Sequence, residues 1–180
     1  VIAEEELNRL MQATLGETLG WKPGVSSTSF TGGASRPIIR GHGGNRVRIL
    51  SNGLGTQDLS NSSPDHAITI DPLMVEQVEI LRGPATLLYG GAANGGAVNI
   101  IDGRMPSSLP TETSGGVSAG YIGASEGKYA SLKFDIPTGK YVFHFDATFR
   151  DSKDYTTPSF NPHAGEEHDE DEHDEDEHDE

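Results

Sequence analysis

Val75-Glu76-Gln77-Val78-Glu79-Ile80-Leu81-Arg82-Gly83-Pro84-Ala85-Thr86-Leu87-Leu88-Tyr89-Gly90 is the stretch on which the fold turns. Val78 to Leu81 reads as a strand that Gly83-Pro84 stops. A short helix over Ala85 to Tyr89 follows, then a glycine-rich turn and a second strand from Ala97 to Ile101. Upstream, Asp71-Pro72 is a helix start with proline at the first helical position. Further back, Arg46-Val47-Arg48-Ile49-Leu50 alternates polar and apolar residues before the turn dipeptide Asn52-Gly53, predicting a strand and a tight turn. Thr14-Leu15-Gly16-Glu17 has the capping-box pattern, so a helix should begin near Leu15 and end at Pro23-Gly24. Leu7, Leu10 and Met11 stand at helical spacing before it. Residues 1–110 therefore read as one α+β domain.

After Pro110 the periodicity changes. Val117, Ala119 and Tyr121 alternate with small polar residues, and Ala130, Leu132, Phe134 and Ile136 alternate with Tyr129, Ser131, Lys133 and Asp135. Beyond the turn Pro137-Thr138-Gly139-Lys140, the residues Tyr141, Phe143, Phe145, Ala147 and Phe149 alternate with polar partners. Each segment approaches the ~9–11 residues a tilted strand needs to cross a bilayer. A soluble antiparallel sheet would leave the same pattern, so this stretch does not choose between the two.

The acidic balance is local. The chain has 28 acidic residues and 13 basic ones, and 12 of the acids fall between Glu166 and Glu180. Without that run the charge is ordinary, and nothing points to nucleic acid. Cysteine is absent, which excludes disulfides and thiolate metal sites. No apolar run is long enough for a membrane helix, a fact silent about a membrane barrel. No Ser-His-Asp, Cys-His or phosphate-cradling arrangement argues for an enzyme.

Four stretches resemble, in order, the plug domain of TonB-dependent receptors. They are Thr14 to Leu19 with Pro23 to Ser27, Pro37-Ile38-Ile39-Arg40-Gly41 with Arg46 to Gly53, Val75 to Gly90, and Gly95-Gly96-Ala97-Val98-Asn99-Ile100-Ile101. The resemblance implies an α+β plug (a mixed sheet with short helices) over 1–110. It implies the first antiparallel strands of a large transmembrane β-barrel over 111–150, and a chain that is a fragment of a longer receptor. Three strands cannot close a barrel, and no motif for the energy-transducing protein is visible before Val1. Expected surroundings are the cell outer membrane of a Gram-negative bacterium, its lipid, and the TonB energy-transducing complex of the inner membrane. Arg40 and Arg82 are each followed by glycine, and the resemblance makes them latches that reach outward to carboxylates on the barrel wall; ordinary ion pairing within the plug is the alternative.

The resemblance implies that the plug chain enters its barrel from the periplasmic side, and counting strands from there makes 151–180 an extracellular loop. It carries His163, His168, His173 and His178 at five-residue intervals, and from His168 the pentad His-Asp-Glu-Asp-Glu repeats. Five residues turn a helix by about 500°, so these imidazoles share no helical face, and the charge density predicts disorder. A flexible chain of imidazoles and carboxylates still suits zinc, nickel or copper. Asp65-His66 is the second candidate, because Ser63-Pro64-Asp65-His66-Ala67 resembles the plug apex of the zinc-uptake branch. The reading from sequence is thus a receptor for a metal ion, most of all zinc as cargo, with no prosthetic group. Its alternatives are a siderophore or haem receptor, weakened by the position of the single tryptophan, Trp21, away from the apex, and an extracellular metal-buffering or adhesion module. His42 and His144 are expected to be structural.

Overall fold

The structure is a computed structural model that describes residues 1–154 except Ser29 and Ser107. The first part is built from β1 (Ile2–Ala3), α1 (Glu4–Leu10), α2 (Leu15–Leu19), β2 (Val25–Ser27), β3 (Pro37–Ile39), β4 (Val47–Ser51), β5 (Leu54–Gly55), β6 (Gln77–Leu81) and β7 (Gly96–Ile101). A five-stranded sheet runs β1-β6-β7-β4-β5, and β2 and β3 form a separate pair. In the middle, β7 runs antiparallel to β6 and parallel to β4, so the sheet is mixed. Both faces of β7 are covered, as expected for a central strand, and Val98 and Ile100 are fully buried among Val47, Ile49, Val78, Leu7 and Leu19.

Local chemistry explains the boundaries. Thr14 caps α2 by accepting from the Glu17 N–H and donating its hydroxyl to the Glu17 carboxylate. Asn52 and Gly53 both take positive φ (50° and 82°), the geometry a two-residue hairpin needs between β4 and β5. Inside β7, Asn99 is buried but satisfied: it accepts from Gly53 N–H at 2.8 Å and donates to Glu79 at 2.9 Å. The expected helices after Asp71 and over 85–89 are tight 3₁₀ turns, Pro72–Met74 and Pro84–Tyr89. The strands β1, β2, β3 and β5 are two or three residues long, too short to leave an alternation in the sequence.

Three longer strands follow, β8 (Ser114–Ile122), β9 (Gly127–Thr138) and β10 (Tyr141–Asp151), paired antiparallel in the order β10-β9-β8. At ~3.3 Å per residue and a tilt of about 40°, strands of this length match the hydrocarbon core. Register puts Phe143, Phe145 and Phe149 on one face with Ile136, Phe134 and Ala130. The three phenylalanines are 64%, 60% and 62% exposed. The opposite face, carrying Lys133, Asp146 and Arg150, lies against the first domain. A soluble sheet would turn its apolar face to the core; here the polar face is turned inward, the arrangement of a barrel wall around its contents. No helix of the described residues is long and apolar enough to cross a membrane.

Candidate functional site

Between β5 and β6 the chain makes a long excursion. Thr56 ties its start to β4 through its N–H and hydroxyl, both donated to Ile49 O. Asn61 donates to the carbonyls of Thr56 and Asp58, and Ser62 and Ser63 N–H groups donate to Leu59 O. Asp65 and His66 then stand exposed, with His66 Nδ1 3.0 Å from Asp65 Oδ1. The Ser63 hydroxyl donates to the same oxygen. Those hydrogen bonds, the Ser63 hydroxyl first and His66 next, hold the Asp65 carboxyl below the ordinary carboxylate range. The structure therefore brings the two expected ligands together as one exposed pair. Among the described residues no group of three metal-binding side chains forms, and two side chains fall short of the four donors a tetrahedral ion takes.

Its place in the fold is informative. Ala67, next to His66, lines a cavity of about 280 Å³ together with Gly33, Asp71 and Arg150. Arg150 stands one residue before the end of β10, where the chain enters the segment 151–180. The Asp65-His66 loop thus shares an end of the molecule with the root of that segment. His163, His168, His173 and His178 lie outside the described residues.

Arg40 and Arg82 converge on a single turn. Arg40 takes φ 50° and its N–H donates to Gly24 O at 2.9 Å, while Arg82 Nη2 donates to Pro23 O at 2.9 Å. A side chain at Gly24 would meet both, Arg82 Nη1 at 3.8 Å and Arg40 Cγ at 3.9 Å. Arg40 is exposed. Arg82 is not extended outward; it is half-buried and folded onto the Pro23 carbonyl, because the turn presents an acceptor within reach. Neither guanidinium forms an ion pair among the described residues.

Sequence reasoning missed the contacts that join the first domain to the strands. Lys133 on β9 reaches Glu4 at 2.6 Å and Glu76 at 3.1 Å. On β10, Arg150 pairs with Asp71 at 3.1 Å and donates to Ala13 O, and Asp146 receives Arg104 at 2.9 Å. His144 sits between Asp135 at 2.7 Å and Asp146 at 3.1 Å, on the polar face of β10. The alternation puts these residues on the polar face of their strands, but partners so remote in sequence leave no local signal.

The family model for the TonB-dependent Receptor Plug Domain matches residues 1–97. The chain belongs to the TonB-dependent receptor family. Its plug is similar to that of the ferrioxamine receptor of Yersinia enterocolitica, 32% identical over 120 residues that make up 64% of this chain and 16% of that protein. The vitamin B12 transporter BtuB of Photobacterium profundum is 31% identical over 67% of this chain and 20% of its own length. The ferrichrome outer membrane transporter/phage receptor of Escherichia coli is 35% identical over 61% of this chain and 15% of that protein. This chain thus spans a fifth or less of these relatives. Among solved structures, the ferric enterobactin receptor PfeA of Pseudomonas aeruginosa superposes with a TM-score of 0.65 at 23% identity, over 84% of this chain and 24% of that one. The copper transporter OprC gives 0.65 at 23% identity, over 81% and 22%. These likenesses show the fold, a plug with the start of its barrel wall, and the family places the chain in the outer membrane.

Proposed function

We propose that the intact receptor imports a scarce metal-bearing nutrient across the outer membrane, energised by the TonB complex. The observation that carries this reading is the docking of the β9–β10 polar face onto the plug by Lys133, Asp146 and Arg150, while the phenylalanine face stays exposed as a lipid-facing wall. Cargo meets the exposed loop around Asp65-His66, and rearrangement of the plug, pulled from the periplasm, opens the way. The extracellular buffering or adhesion alternative loses its ground, since it needs no plug and no wall.

Two forms of cargo have support. The named relatives carry siderophores or vitamin B12, which favours a chelate over the bare ion and leaves a zinc branch without support from them. The zinc reading rests on this chain alone: the exposed Asp65-His66 pair and the four spaced histidines of 151–180. We take the chelate as the leading form and zinc as the second. Competition decides between them. In cells expressing the intact receptor, uptake of radio-iron-labelled ferrioxamine that zinc leaves unaffected supports the chelate. Zinc uptake abolished by Asp65→Ala with His66→Ala reverses the order.

A further inference from the structure

Arg36 is a charged side chain held inside the first domain. It is only 2% exposed, at the end of the loop 28–36, and faces Asp58 at 3.8 Å, whose side chain is 4% exposed. Charges this deeply buried are rare and costly unless they are paired and hydrogen-bonded. The pairing runs through a relay: Arg36 Nη1 donates to the Ser60 hydroxyl, and that hydroxyl donates to Asp58. Arg36 Nη2 donates to Asn61 Oδ1 at 3.0 Å and to Val47 O on β4 at 3.4 Å. Three of the four partners, Asp58, Ser60 and Asn61, belong to the loop that carries Asp65 and His66. Burial pulls the Arg36 guanidinium below its ordinary range, with Asp58 opposing that shift.

The base of this brace is rigid. Arg36 N–H donates to Thr28 Oγ1 at 2.8 Å and its carbonyl accepts from Thr28 N–H at 2.9 Å. A methyl group at Gly16 would lie 2.5 Å from Ser35 Oγ and 2.8 Å from the Arg36 carbonyl carbon, so α2 packs directly on this backbone. The loop it reaches is tied to β4 by Thr56 and bonded internally by Asn61, Ser62 and Ser63, but it lacks an apolar anchor. Between Thr56 and Ala67 the apolar side chains are Leu59, 66% exposed, and Pro64 and Ala67, also exposed. Hydrophobic burial therefore does not hold the segment in place, and the buried polar contacts of Arg36 do, although Arg36 Nε and Asp58 Oδ2 have no partner among the described residues.

We propose that Arg36 and Asp58 are positioning residues: their buried pair fixes the 56–67 loop so that Asp65 and His66 meet cargo in one preset geometry. This rests on the reading of that loop as the cargo contact. The test uses the intact receptor in a cysteine-free background, with nitroxide labels at Ser62→Cys on the loop and Ser26→Cys on β2. The same receptor is assayed for uptake of radioactive zinc and of radio-iron-labelled ferrioxamine. Arg36→Met with Asp58→Leu removes both charges and keeps apolar volume, a replacement that proteins often tolerate. Ser60→Ala is a milder break in the relay should the double variant fail to fold.

The expected result is a broadened inter-label distance distribution in either variant. The half-saturation concentration for whichever probe is transported should rise about ten-fold, as when the groups that orient a binding residue are removed. The maximal rate should change much less, which a general loss of folded receptor would not produce. Arg36→Lys, which keeps the charge and loses the fork, should fall between. An unbroadened distribution in both variants overturns the brace. Broadening with an unchanged half-saturation concentration overturns the positioning role while leaving TonB-driven uptake standing. If the wild-type receptor takes up neither probe, the cargo reading fails and the proposal, which rests on it, fails with it, whatever the labels show.

Discussion

The Gly95-Gly96 step at the entry to β7 offers a direct check on the plug. Gly96 has φ +144°, and a Cβ there would stand 2.7 Å from Ile39 Cδ1 and 3.1 Å from Leu81 O. At Gly95 a Cβ would lie 2.5 Å from His42 Cβ and 2.9 Å from Arg46 O. The carbonyls of Leu81 and Arg46 belong to backbone that frames the sheet, and Gly95 N–H donates to Arg46 O, so the neighbours cannot simply yield. Overpacking costs about 1–3 kcal/mol, and the positive φ at Gly96 adds about 1–2 kcal/mol. Gly96→Ala should therefore lose about 3 kcal/mol. With a urea dependence of about 1.5 kcal/mol per molar, the midpoint should fall by roughly 2 M. The chain has a single tryptophan, Trp21, inside the plug, so its fluorescence in detergent-solubilised chain follows unfolding without an added label. Gly91→Ala is the control, since a Cβ there meets nothing within 4 Å, and its midpoint should hold. An unchanged Gly96→Ala midpoint, or an equal loss at Gly91, refutes the close approach of β3 and β6 on which the argument depends.

Three further outcomes are expected. The Asp65 carboxyl, followed by carbon NMR, should titrate below the ordinary value of ~3.9, because the hydrogen bonds from Ser63 and His66 favour its charged form; it stays ionised as pH falls until that lowered midpoint is passed, and Ser63→Ala should move it back up. A peptide covering His163 to Glu180 should bind zinc at neutral pH and release it below about pH 6 as imidazoles take up protons, and calorimetry without heat at millimolar zinc removes a capture role. The chain without detergent should aggregate through its exposed phenylalanine face, whereas a monodisperse sample by light scattering contradicts the lipid-facing assignment.

Much of the plug was legible because its longer elements obey local rules. The Thr14 cap, the Asn52-Gly53 turn, the Asp71-Pro72 start and the alternation in β4 each follow from residues within one turn or one strand. The three wall strands were legible as strands, yet their sidedness was not. Alternation says only that two faces differ; the ion pairs from Lys133, Asp146 and Arg150 to the plug say which face turns inward. The edge strands β1 and β5 escaped because two residues carry no period. At the candidate site, Asp65 and His66 are neighbours in sequence, so their pairing was readable. The support from Arg36, more than twenty residues earlier in the chain, was not, since a buried arginine looks in sequence like any solvated one.

The central claim is that this chain forms the plug and first wall of a TonB-energised importer, and it is tested most directly by uptake. Cells expressing the intact receptor are given radio-iron-labelled ferrioxamine or radioactive zinc, with the TonB complex present and with it deleted. The account predicts accumulation of at least one of these that requires both the receptor and the TonB complex. Equal accumulation with the complex deleted, or none from either cargo in cells whose outer membrane holds folded receptor, contradicts it.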